Sequence, residues 1–153
     1  MNMAENRILV SNRQALRDFH IEKTYEAGIE LFGNEVKSLR AGKANLKGSF
    51  ARIDNGEVFL YNMHISPYEY SHDETNPIRM RKLLLHKAQI MQIVGKLTQK
   101  GYTLVPLKVY FTKKYAKVEI GLGRGKNLYD KRQDIKKGEA QREMKRAMNN
   151  KNR

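Results

Sequence analysis

The chain predicts a mainly β, α+β fold: about five or six antiparallel strands curled into a small barrel or sheet, two helices on its flank, and a basic C-terminal tail. Three observations carry that prediction. Strand patterns follow one another with tight-turn signals between them, which favours antiparallel pairing over alternating β–α units. Only two stretches show helical spacing. The last thirty residues, Arg124 to Arg153, hold eleven Lys/Arg against four Asp/Glu, or +7 of the chain's +14. Their apolar content is little more than Leu128, Ile135, Met144 and Met148, too little to fold alone. The expected division is a body over 1–123 and a tail over 124–153.

The elements follow in order. Phe19 to Leu31 mixes Phe19, Ile21, Tyr25, Ile29 and Leu31 with charged residues and reads as a strand, bent near Gly28. Gly33 to Gly42 reads as a short helix. Asn34 is its expected cap, Glu35 suits the positive N-terminal dipole, and Gly42 supplies a left-handed stop. Val36 and Leu39 share a core-facing side, while Lys37 and Arg40 share another. Ser49–Ile53 and Glu57–Tyr61 flank Asp54-Asn55-Gly56, a hairpin signal. Ser66 to Met80 holds Pro67 and Pro77, with Tyr68, Tyr70 and His72 between, and reads as a long loop. Leu83 to Lys100 reads as the clearest helix, with Leu83, Ile90, Ile93, Val94 and Leu97 inward and Lys87, Gln89, Gln92, Lys96 and Lys100 outward. Val105, Leu107, Val109 and Phe111 alternate with polar or proline positions. Thr112-Lys113-Lys114 turns the chain, and Ala116, Val118, Ile120 and Leu122 alternate again. Pro106 cannot donate to a ladder, so its strand belongs at an edge or a bulge.

Composition narrows the function. With no Cys, there is neither a disulfide framework nor a thiolate metal site. The N-terminus lacks a signal-peptide pattern and no apolar run approaches a membrane span, so a soluble cytoplasmic protein with no membrane partner is expected. A pI near 10.0 suggests nucleic acid or an anionic membrane, or a solvated surface that is simply basic; the size and layout of the charge favour nucleic acid.

No catalytic constellation is present, so an enzyme is not expected, nor a cofactor. His20, His64, His72 and His86 do not pair at metal-ligand spacing. Gly121-Leu122-Gly123-Arg124-Gly125-Lys126 resembles a phosphate loop, but Ile120 stands where its first glycine should be and Asn127 where Ser or Thr should follow the lysine. It reads instead as a flexible hinge. Glu22, Glu26 and Glu30 would share one face of a strand and could accept hydrogen bonds from base edges or ribose hydroxyls, or simply balance nearby lysines. Phe50, Phe59 and Phe111 read as core; Phe19, Tyr68 and Tyr129 sit beside basic or loop residues and are the candidates for stacking on bases. The tail has fair helix propensity, interrupted by Gly138, and is expected to be disordered when free and helical against RNA.

Several strings together carry a resemblance: Glu26-Ala27-Gly28-Ile29; Gly33 through Leu46; Arg81-Lys82-Leu83-Leu84-Leu85-His86-Lys87; Gly101 through Leu107; Lys117-Val118-Glu119; and Gly125-Lys126 with Asp130-Lys131-Arg132. They resemble the SmpB family, the small tmRNA-binding proteins of bacterial trans-translation, over nearly the whole chain and in order. The chain departs from the family's strings at Gly48, Phe50, Pro77, Asn127 and Gly138. The resemblance implies an oligonucleotide-binding (OB-like) closed barrel with flanking helices and a tail. It implies a non-enzymatic adaptor, expected to be monomeric, that binds the tRNA-like domain of tmRNA. Alanyl-tRNA synthetase and elongation factor Tu are implied as partners through that RNA, and the stalled ribosome as the destination. RNA-binding positions of the family map to Asn12, Glu26 and Leu84; electrostatics adds Lys37, Arg40 and Lys43, and ring chemistry adds Phe19. The tail segment expected at the small-subunit decoding centre comprises Gly125, Lys126, Tyr129, Asp130, Lys131 and Arg132, extended by Lys136 and Lys137. The competing expectation is a ribosomal or general RNA-binding protein with a basic extension.

Overall fold

The computed structural model describes residues 7–69, 75–126 and Arg142. In chain order the elements are β1 (Arg7–Ser11), α1 (Arg13–Asp18), β2 (Phe19–Ile29), α2 (Gly33–Arg40), β3 (Ala44–Asn45), β4 (Phe50–Asp54), β5 (Glu57–Tyr61), β6 (His64–Ile65), β7 (Arg81–Leu84), α3 (Lys87–Leu97), β8 (Tyr102–Thr112) and β9 (Tyr115–Gly125). All pairings are antiparallel.

The hairpin turn is as the sequence predicts. Asn55 and Gly56 both take positive φ, 50° and 76°, the geometry that joins twisted strands through two residues. Likewise Lys113, at φ 57°, turns β8 into β9. The main sheet runs β1-β8-β4-β5-β7-β2-β9, and β8 also pairs with β9. Six strands, β8-β4-β5-β7-β2-β9, therefore form a ring-like sheet, with β1 attached outside it to β8; β3 and β6 form a separate two-stranded piece. Inside the ring lie Leu60, Leu83, Leu104, Val118, Ile120 and Leu122, all at most 2% exposed, with Leu39 from α2 and Ile93 from α3 packed in the same core.

Three sequence expectations change. First, the helix expected from Leu83 begins at Lys87, because Arg81–Leu84 is a strand of the ring. Arg81 and Leu83 are buried while Lys82 is half-buried and Leu84 exposed, a period of two that the leucine run disguised. Within α3 only Ile93 is fully buried, and Val94 is exposed. Second, Asn34 does not cap α2; the cap position is Phe32, and Glu35 supplies the reciprocal half of the cap by accepting from the Phe32 N–H at 2.9 Å. The bulge expected at Pro106 is found, where the register of β8 against β9 shifts between Pro106 and Lys108. The bulge changes the phase of the strand, so Val109 joins the main core while Val105 and Leu107 pack with Ala15 of α1. Third, residues 121–125 are not a hinge but the end of β9, paired with β2 and β8. Gly123 crosses a bulge of β2 so closely that an added Cβ would lie 2.1 Å from the carbonyl oxygen of His20. Glycine marks a close backbone approach here rather than flexibility.

Candidate nucleic-acid interface

The expected RNA-binding residues of the body fall in three places. The first is a hollow where β2, β7, β9 and α3 meet. β2 pairs with β7 so that Gly28 lies opposite Leu84. A Cβ on Gly28 would sit 3.3 Å from that of Leu84, so glycine lets the leucine cross the strand while remaining 48% exposed. Glu26, Gly28, Leu84, His86, Gln89 and Lys117 are among the residues lining a hollow of about 370 Å³. Two of the positions expected from the resemblance, Glu26 and Leu84, are thereby brought together.

Glu26 is held from behind. The hydroxyl of Tyr110 donates to its Oε2. Burial of the phenol, and then the hydrogen bond to Glu26, push the Tyr110 pKa well up, so the hydroxyl remains a donor at any physiological pH. Glu26 stands directly opposite Glu119 across β2 and β9. That like-charge pairing is relieved by Lys108, whose Nζ bridges Glu119 at 3.0 Å. The hollow thus combines an oriented carboxylate acceptor, a lysine and an exposed apolar side chain. Those are the chemistries that meet a base edge or ribose hydroxyl, a phosphate and a base face.

The second place is a smaller hollow of about 160 Å³ lined in part by Asn12, Gln14, Asp18, Phe19 and Ser49. Here Asn12 is a strut of the fold. It caps α1 by accepting from the Ala15 N–H at 3.3 Å, and its Nδ2 donates to the Pro106 carbonyl at 2.9 Å. Its backbone N–H also donates to Leu107 O at 2.7 Å, so α1 is fastened to the bulge of β8. Phe19 packs half-buried against Ala15, Val105 and Leu107 rather than presenting a free ring. Gly125 pairs with Phe19, and the Lys126 N–H donates to Asp18 O at 2.7 Å.

The third place is α2 and its exit. Lys37 Nζ lies 5.3 Å from the Tyr68 ring centroid and the Arg40 guanidinium 5.3 Å from that of Phe111. Lys43 is exposed, while its backbone carbonyl accepts from Ser66 N–H at 2.9 Å. None of these three cations lines either hollow. Tyr129, Asp130, Lys131, Arg132, Lys136 and Lys137, like Tyr70 and His72, lie outside the described residues.

Sequence reasoning missed what fastens these places together. Glu35 and Arg81 are buried, at 3% and 0% exposure. Glu35 Oε2 accepts from Arg81 Nε at 2.9 Å and Nη2 at 2.6 Å, and its carboxylate also pairs with Arg79. Arg81 further donates to Met63 O at 2.6 Å and Pro77 O at 3.1 Å. Burial alone would raise the Glu35 pKa, but hydrogen bonds from Arg79, the Phe32 N–H and Arg81 outweigh it and hold the carboxyl below its ordinary value. The cluster ties α2 to β7, and so fixes Lys37 and Arg40 relative to Leu84. Lys117, His86, Gln89 and Tyr110 were not among the expected binding residues: His86 and Lys117 stand inside strings of the resemblance without a role, and Gln89 and Tyr110 showed only polar or aromatic placement on a helix and a strand already identified.

Known proteins place this arrangement in a family. A family model described as "SmpB protein" matches residues 9–150. The "SsrA-binding protein" of Geobacillus sp. (strain WCH70) is 55% identical over 151 residues, 96% of each chain. That of Carboxydothermus hydrogenoformans is 55% identical over 146 residues, 93% of this chain and 96% of the relative. A solved chain described under "tmRNA-SmpB: a journey to the center of the bacterial ribosome" is 50% identical and superposes with a TM-score of 0.67, covering 86% of this chain and 95% of that one. Agreement of this extent, in both sequence and fold, means that the chain belongs to the SmpB family.

Proposed function

We propose that this protein is a tmRNA-binding adaptor of trans-translation. It binds the tRNA-like domain of tmRNA, accompanies it to stalled ribosomes and places its tail in the decoding site and mRNA channel. The observation that carries this reading is the family match over residues 9–150, which spans the hollow of Glu26 and Leu84 as well as most of the tail. The relatives are named for binding SsrA, and the solved neighbour is an SmpB studied with tmRNA and the ribosome.

The six-strand ring serves in this reading as a closed OB-like barrel with no catalytic duty, acting as a cytoplasmic monomer. Glu26, Leu84 and the α2 cations Lys37 and Arg40, with Lys43 beyond them, engage RNA directly, whereas Asn12 and Phe19 act by positioning α1. Alanyl-tRNA synthetase and elongation factor Tu meet the protein through the RNA. The tail residues Tyr129 through Lys137 act in the decoding site and mRNA channel.

The test is the RNA that copurifies with the full chain. A single tmRNA species supports the adaptor; a broad RNA population would sink it and leave a general RNA-binding protein. A second measurement separates body from tail. Because β9 extends to Gly125 and Lys126 N–H bonds Asp18 O, the cut belongs after Lys126. The truncated chain is expected to keep tmRNA binding and to lose tagging on stalled ribosomes; parallel loss of both overturns the division of labour.

A further inference from the structure

The hollow containing Glu26 and Leu84 does not end where those residues end. A second hollow, of about 530 Å³, lies farther along the same seam between α3 and β2, with Glu22, Lys23, Tyr25, Gln92, Lys96 and Gln99 among its lining residues. His86 and Gln89 line the first hollow and Gln92, Lys96 and Gln99 the second. Their spacings of three and four put all five on one face of α3 and its flanks. That face lies along β2, whose Glu26 lines the first hollow and whose Glu22, Lys23 and Tyr25 line the second. The trench follows a helix of 11 residues, about 16 Å of rise.

Its far end is built differently from its near end. Tyr102 lies beneath two cations: the Arg124 guanidinium is 4.5 Å and Lys96 Nζ 5.5 Å from its ring centroid. The Tyr102 hydroxyl donates to Glu22 at 2.8 and 2.9 Å, which orients the ring and places one carboxylate in the cluster. Lys23 Nζ donates to Gln92 Oε1 at 3.0 Å and lies 5.0 Å from the Tyr25 centroid. Lys23 and Lys96 thus line this hollow together with Glu22, Arg124 joins them through the Tyr102 ring, and among the described residues none of the three cations forms an ion pair. They are held by rings and an amide, which fix their place without neutralising them.

We propose that Lys23, Lys96 and Arg124 form a phosphate-gripping subsite for RNA, and that the strand engaged at Glu26 and Leu84 continues along α3 to reach it. The near end reads a base or ribose; the far end holds backbone. This rests on the adaptor reading for the identity of the RNA, but its test fails separately.

Binding of the full chain to the isolated tRNA-like domain of tmRNA is measured across a salt series, for the native protein, Glu26→Gln and the triple variant Lys23→Gln/Lys96→Gln/Arg124→Gln. The triple variant is expected to lose at least about tenfold in affinity near 0.15 M salt and to flatten the log–log salt slope by about 2–3, the loss of three phosphate contacts. Glu26→Gln is expected to alter affinity with the slope unchanged. Lys23→Arg/Lys96→Arg is expected to retain both. Lys96→Gln alone, at an exposed helix position, guards against misfolding of the triple variant and is expected to flatten the slope by about 0.7–0.9. A triple variant, or Lys96→Gln, with native affinity and slope overturns the subsite. Failure of the native chain to prefer this RNA over an unrelated tRNA overturns the adaptor reading instead.

Discussion

Glu35→Ala is expected to be among the most destabilising single changes in the body. Glu35 is 3% exposed and is the carboxylate partner of Arg81, which is fully buried, and of Arg79. Removing it leaves Arg81 charged inside the protein, with only the carbonyls of Met63, Pro77 and Arg79 to receive its protons. Stranding one member of a buried pair costs about 3–5 kcal/mol. For a folded body of this size, each kcal/mol lowers the melting temperature by roughly 3–5 °C, so a fall of about 10–20 °C is expected. Calorimetry or urea unfolding of the full chain measures it. The pair also predicts non-additivity: Glu35→Ala/Arg81→Met removes the stranded charge, and its loss is expected to undershoot the sum of the single losses by about 1–3 kcal/mol. A Glu35→Ala loss below about 1 kcal/mol, or strict additivity in the cycle, would refute the view that this ion cluster fastens α2 to β7.

Three further outcomes follow. Because folding lowers the Glu35 pKa from 4.5, the pH-linked part of its contribution is complete above that unfolded value and is lost as pH falls through the lower folded value; the stability gap between native and Glu35→Ala protein is expected to be constant near pH 7 and to narrow as pH falls below 4.5, and a gap that widens in acid would contradict it. Gly123→Ala is expected to cost about 3 kcal/mol or more, since its Cβ would meet the His20 carbonyl carbon at 2.8 Å as well as the oxygen; hydrogen exchange is expected to rise at residues 19–21 and 123–126 before the rest of the ring, and uniform exchange would contradict it. Asn12→Ala is expected to cost about 1–3 kcal/mol by losing the α1 cap and leaving the Pro106 carbonyl without its donor; any fall in RNA affinity then tracks loosening of α1, and unchanged stability with weaker binding would make Asn12 a direct contact instead.

The parts of the fold legible in the sequence were those whose cause is local. Asn55-Gly56 names its own turn, and Ala116, Val118, Ile120 and Leu122 alternate into one core without interruption. Ring closure was harder, because it depends on β7, four residues whose leucines read equally well as the start of α3. α1 was missed because six residues with one buried side chain, Ala15, carry almost no periodic signal. The same limit applies to the site. Leu84 and Glu26 are 58 positions apart in sequence and meet only through the pairing of Gly28 with Leu84. Glu35 looked like a helix-dipole residue because nothing local announces that Arg79 and Arg81 converge on it. Resemblance named Glu26 and Leu84 as a set; only the strand register explains why they are one.

The glycines at the end of the body carry the broadest consequence. Read as a hinge, residues 121–125 would let the basic tail swing freely from the body. Observed as strand, they hold the chain against β2 and β8 as far as Gly125, and Lys126 is tied to Asp18. The point of departure is therefore set by the sheet. Arg124, the cation that covers Tyr102 at the far end of the trench, stands two residues before the end of that tether. If RNA follows the trench, the same strand end that receives its phosphate also launches the tail, so the position of the RNA and the starting point of the tail are coupled by β-sheet hydrogen bonds rather than by a linker. Longer or looser sequence at 121–126 would break that coupling even while each half kept its own affinity. Tight packing of Gly123 against His20 is the means by which this chain avoids it.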